Sequence, residues 1–104
     1  MSFTGTEDQA ITLSEGAALT ANYRAVAGSN PVLGHYFGQS ILNAILAQDG
    51  CVGIRIYYAL TSGGQKQLVL VGVDANQDDM TDGVLGDKSY LCPSICGATN
   101  SLNS

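Results

Sequence analysis

The stretch Cys51-Val52-Gly53-Ile54-Arg55-Ile56-Tyr57-Tyr58-Ala59-Leu60 changes the period of the chain from helical to two. Val52, Ile54, Ile56, Tyr58 and Leu60 fall on one side, and Cys51, Gly53, Arg55, Tyr57 and Ala59 on the other. That alternation predicts a strand with one face on a core and one mixed face. Thr61-Ser62-Gly63-Gly64-Gln65-Lys66 then reads as a turn, its Gly-Gly pair supplying positive φ without a Cβ clash. Residues 67–73, rich in Leu and Val, complete an antiparallel hairpin. A hairpin alone is marginally stable in water, so its apolar face needs a second layer.

Two helices are available to provide that layer. Thr12-Leu13-Ser14-Glu15 has the capping-box arrangement, in which Thr12 accepts from the backbone three residues on and Glu15 reaches back. Leu19, Tyr23 and Val26 follow at helical spacing to about Ala27, and Gly28-Ser29-Asn30-Pro31 breaks the pattern. Phe37, Ile41, Leu42, Ile45 and Leu46 form a second apolar stripe, with Gln39, Ser40, Asn43 and Gln48 largely opposite. Asp49-Gly50 ends it. The fold class expected is α+β, two N-terminal helices packed on the antiparallel β-hairpin, with a short third strand at Ser89-Tyr90-Leu91. At 104 residues this is one domain, 1–104, with a loose lead-in over 1–11 and a frayed tail over 97–104.

Charge narrows the partners. Four Lys and Arg against nine Asp and Glu cannot supply the phosphate contacts that nucleic acid demands. Five of the nine acids, Asp74, Asp78, Asp79, Asp82 and Asp87, lie within the 74–87 loop. The other four are balanced by Arg24, Arg55, Lys66 and Lys88, so the net charge of -5 is a property of that loop. No apolar run reaches the roughly eighteen residues of a membrane span. The N-terminus lacks the basic start and apolar core of a signal peptide, and three cysteines is an odd set, so a cytoplasmic chain is expected.

The segments Gly50-Cys51-Val52-Gly53-Ile54-Arg55-Ile56-Tyr57-Tyr58, Leu68-Val69-Leu70-Val71-Gly72-Val73-Asp74-Ala75-Asn76 and Cys92-Pro93-Ser94-Ile95-Cys96 together resemble a group of small uncharacterised bacterial proteins. Tyr23-Arg24 and the helix from Phe37 to Leu46 share the resemblance, which covers roughly residues 10–96. It implies a domain that occurs by itself. It brings no activity, substrate or catalytic residue.

Three constellations could carry chemistry. Asp74-x-Asn76-x-Asp78 matches the first three ligand positions of an EF-hand loop and Asp82 its ninth, making Asp74, Asn76, Asp78 and Asp82 candidate calcium ligands. The match breaks where Asp79 replaces the turn glycine and Leu85 the bidentate glutamate, and a strand precedes it. The plainer reading is a turn in which Asx side chains bond their own backbone. Cys51, Cys92, Cys96 and His35 could form a Cys₃His zinc site, though only one pair is closely spaced. A Cys92–Cys96 disulfide is geometrically feasible around Pro93, though a reducing cytoplasm argues against it.

Nucleophilic catalysis would have to use His35, the one histidine, as base. No Gly-x-Ser-x-Gly elbow, phosphate loop or His-Glu-x-x-His helix is present, so the reading leans away from an enzyme. Arg55 stands mid-strand beside Gly53 and Tyr57. It suits carboxylate or phosphate recognition, or a cross-strand ion pair with Tyr57 against the guanidinium. Arg55, Tyr57 and, on the first helix, Arg24 are therefore the candidate binding residues. The function expected is a non-catalytic domain acting as a homo-oligomer or protein-binding module, without nucleic acid or membrane. The alternative is a calcium or small-ligand binder using the aspartate loop.

Overall fold

A computed structural model describes residues 1–104. Two helices, α1 (Leu13–Val26) and α2 (Gln39–Leu46), accompany five strands. These are β1 (Gly34–Tyr36), β2 (Cys51–Leu60), β3 (Lys66–Asp74), β4 (Leu85–Gly86) and β5 (Tyr90–Cys92), in two antiparallel sheets. The chain divides into two compact units, one of Met1–Glu7 with Tyr36–Ser89 and one of Asp8–His35 with Tyr90–Ser104.

The first unit is built on the β2–β3 hairpin. The ladder runs from Cys51 opposite Asp74 to Leu60 opposite Lys66, with a bulge between Cys51 and Gly53. Gly64 has φ of 85°, the left-handed backbone the turn requires. On its other side β3 pairs with β4, Leu70 opposite Gly86 and Val71 opposite Leu85, so the sheet order is β2-β3-β4. Leu70, Val71 and Val73 are buried.

Helix α2 covers one face of this sheet, with Ile45 fully buried. The approach depends on two glycines. A methyl at Gly72 would stand 3.0 Å from Cys51 Sγ and 3.3 Å from Ile45 Cγ2, and one at Gly86 would stand 2.9 Å from Ile41 Cγ1. Gln48 fixes the end of the helix. Its Nε2 donates to the Ile45 carbonyl at 2.9 Å, and its Oε1 accepts the Val84 amide at 2.8 Å. The lead-in is docked as well: the Phe3 amide donates to the Ala75 carbonyl at 3.0 Å, and Glu7 accepts the Thr4 and Gly5 amides. Those hydrogen bonds, chiefly the one from the Thr4 backbone, hold the Glu7 carboxyl below its ordinary pKa.

The second unit contains α1 and the two-stranded β1-β5 sheet. The capping box forms as the sequence predicts, Thr12 Oγ1 accepting the Glu15 amide at 3.1 Å and Glu15 Oε1 accepting the Thr12 amide at 3.1 Å. The tail is held by Arg24, whose guanidinium donates to the Leu102 carbonyl at 2.8 Å, and by Asn100 and Asn103 within the 100–103 turn. It is not frayed.

The expected fold, two helices layered on one hairpin with a third strand at 89–91, is therefore corrected in two ways. Only α2 belongs to the unit that contains the hairpin; α1 lies in the other. No residue of α1 is buried, as its apolar residues are too sparse to make a stripe that needs a sheet beneath it. The third strand of the hairpin sheet is Leu85–Gly86, while Tyr90–Cys92 pairs with a strand around His35 that the pattern did not reveal. A two-residue or three-residue strand is too short to show a period.

The glycine contacts predict an asymmetry. Gly86→Ala should lower the free energy of unfolding by about 1–3 kcal/mol through overpacking. Gly53→Ala, where nothing lies within 4 Å of the added carbon, should be neutral or slightly stabilising. Urea unfolding of the two variants checks both, and equal effects would contradict the packing described.

Candidate functional site

Arg55 and Tyr57 stand two residues apart on β2 and so share a face of the sheet. They converge on one carboxylate: Arg55 Nη1 donates to Asp79 Oδ1 and Tyr57 Oη donates to Asp79 Oδ2. The same Arg55 nitrogen donates to the Gln77 carbonyl at 3.3 Å. Gly53, the next residue on that face, leaves open space beside the arginine.

The loop delivers Asp79 by folding back on β3. Asp74 Oδ1 accepts the amides of Asn76 at 2.9 Å and Asp78 at 3.0 Å, an Asx arrangement that starts the reversal. Gln77 completes it in the left-handed region with φ of 72°. Asp79 then bridges Val73, and the Met80 amide donates to the Gly72 carbonyl at 2.8 Å.

Three charges or dipoles respond to one another. The hydrogen bond from Tyr57, followed by the guanidinium of Arg55, holds the Asp79 carboxyl below its ordinary pKa. The same bond to Asp79 pushes the Tyr57 phenol up, and Asp79 likewise raises Arg55. Tyr57 is thus kept protonated and donating, and both Asp79 oxygens are engaged. Arg55 is neutralised within its own chain, so the arrangement works as a latch between β2 and the loop.

The remaining sequence candidates are placed as follows. Asp74, Asn76 and Asp78 lie together in the Asx turn, their contacts local. Asp82 is exposed further along the loop. No group of three or more His, Cys, Asp or Glu side chains is disposed to hold a metal ion. Cys92 and Cys96 are joined in a disulfide, against the expectation from compartment, which takes both sulfurs out of the candidate zinc set. Cys51 is a free thiol, its Sγ 3.2 Å from the Gly53 carbonyl, and His35 is half-buried on β1. Arg24 is engaged with Leu102 in the second unit.

The sequence did not reveal which part of β2 is covered. Ile56, Tyr58 and Leu60 read as core, yet they are 54%, 95% and 68% exposed, and Tyr57 is 46% exposed. The reason is length. The eight residues of α2 reach about 12 Å, whereas the ten of β2 extend about 33 Å. Beyond Arg55 the strand leaves the shelter of the helix. It also lies at the edge of its sheet, with β3 its only neighbour.

Comparison of the chain with family models, curated proteins and solved structures gives no match. No helix is long and apolar enough to cross a membrane.

The latch fixes the sign of two pH effects. Asp79, with its folded pKa depressed, contributes stability that is present above about pH 4 and is lost as pH falls through the folded value. Tyr57, with its folded pKa raised, contributes stability that is present below about pH 10 and is lost as pH rises through the folded value. Spectrophotometric titration should show one phenol ionising late, absent in Tyr57→Phe and returned towards about 10 in Asp79→Asn. A late phenol unmoved by Asp79→Asn would break the assignment.

Proposed function

We propose that the protein is a non-catalytic binding module that takes a protein partner along the far end of β2. The observation that supports this reading is the run Ile56, Tyr57, Tyr58 and Leu60, exposed on an edge strand. An edge presents unpaired backbone donors and acceptors, and natural edges are usually blunted by Lys, Pro, bulges or a covering element. Residues 56–60 hold no Lys, no Pro and no charge, and the bulge lies at the other end of the strand. Tyrosine supplies large contact area with few rotatable bonds, which is why it concentrates in binding hot spots. Addition of a strand to such an edge combines main-chain hydrogen bonds with side-chain contacts on both faces.

The Arg55 latch belongs to this reading as a support. It carries the loop across β3, fixes Tyr57 and occupies the Arg55 guanidinium within the chain.

A photoreactive amino acid placed at position 58 should crosslink to protein, while the same group at the exposed Asn43 of α2 should not. The measurement is the mass of crosslinked products after illumination in cells. Equal yields at the two positions, or none at 58, would overturn the proposal.

A further inference from the structure

We infer that the Cys92–Cys96 disulfide is a thiol-exchange site, opened by small thiols such as glutathione and closed by their disulfides, with Cys96 the sulfur attacked. It belongs to the unit of α1 and the β1-β5 sheet, not the unit that carries β2. Its chemistry needs nothing from the β2 edge.

The bond ties little together. Its two cysteines are four positions apart, so it closes a short loop. The chain entropy that a crosslink removes from the unfolded state grows with loop length, and here it is small. Residues 93–100 are all exposed, so no core lies beneath the bridge for it to hold shut. The tail beyond it is fixed separately, by Arg24 on the Leu102 carbonyl and by the 100–103 turn. Exposed disulfides are the ones that exchange readily, whereas structural ones resist the glutathione pool.

The backbone keeps the two cysteines close without the bond. Cys92 ends β5, and its carbonyl accepts the Leu33 amide at 2.6 Å. The Ile95 amide donates to the Leu91 carbonyl at 2.9 Å. Neither hydrogen bond uses a sulfur, so both survive reduction. A dithiol held this way presents one thiol to the other at high effective concentration, which favours closing again. The two sulfurs differ in access. Cys92 is half-buried, whereas Cys96 is exposed, and a carbon added at the following Gly97 would meet nothing within 4 Å. Residues 89–104 carry no charged side chain, so no acid of this segment repels glutathione, itself an anion.

The exchange runs in two steps. A thiolate attacks Cys96 Sγ and forms a mixed disulfide there, while the S–S bond breaks and Cys92 leaves as thiolate. A second thiolate attacks the incoming sulfur, which releases Cys96 as thiolate and a disulfide of the two small thiols. Two thiols are thus oxidised, the pair gains two electrons, and the protons that the thiols shed end on Cys92 and Cys96. Oxidised glutathione runs the reverse and closes the bridge.

The full chain equilibrated with reduced and oxidised glutathione in varied ratio, then alkylated under denaturing conditions, reports the state of the pair by mass. One label, on Cys51, marks the closed form and three mark the open one. The pair should open and close reversibly in millimolar glutathione with the circular dichroism of the folded chain unchanged. A bond that opens only in urea, or a chain that loses its fold on opening, makes the disulfide structural and overturns the inference. In a Cys51→Ala background, Cys92→Ser and Cys96→Ser leave one thiol each. Cys96 should then react with an aromatic disulfide at least about fivefold faster than Cys92, read by absorbance of the released thiolate. Equal rates, or a faster Cys92, overturn Cys96 as the sulfur attacked.

Discussion

Close approach of α2 to the sheet over Gly72 and Gly86 is the contact on which the larger unit depends. It buries Ile45 against β3 and closes Leu70 away from water, while Val71 and Val73 are buried on the opposite face of the sheet. Interiors tolerate little change in volume, and a methyl at either glycine would meet Ile41, Ile45 or Cys51 before van der Waals distance. Gln48 then ties the end of the helix to the approach to β4. The same contact limits the core. An eight-residue helix covers the part of β2 near its start and leaves residues 56–60 in solvent, on a strand with one neighbour.

The loop after β3 has a structural role that its charge alone obscures. Asp74 organises the turn, Asp79 takes the latch, and the others face water. The loop that begins opposite Cys51 thereby returns to Tyr57, where Asp79 meets the Arg55 cation.

Much of the hairpin was legible in the sequence, because period-two alternation over ten residues and a Gly-Gly turn admit few other readings. The capping box at Thr12 and Glu15 was legible for a similar reason, since its chemistry is local. What depended on tertiary placement was not. Val52 to Leu60 has the pattern of a buried face along its whole length, and nothing in that pattern states how far along the strand the covering helix will reach. Arg55 and Tyr57 were recognisable as a pair, and an ion pair was one of the two roles open to the arginine. Asp79 as their shared partner required the loop to fold back on β3, which depends on a left-handed Gln77 that carries no sequence mark. The Cys92–Cys96 bond ran against an argument from compartment, a statement about surroundings that says little about local geometry.

The central claim is that the outer edge of β2 from Ile56 to Leu60 is a working surface that a protein partner covers. Hydrogen exchange read amide by amide tests it most directly, because alternate amides of an edge strand point inward to β3 and outward to solvent. The account predicts that the inward amides of this segment are protected at every concentration. The outward ones should become protected only when the protein crosslinked at position 58 is added. Outward amides that exchange at one fast rate with and without that protein would contradict it.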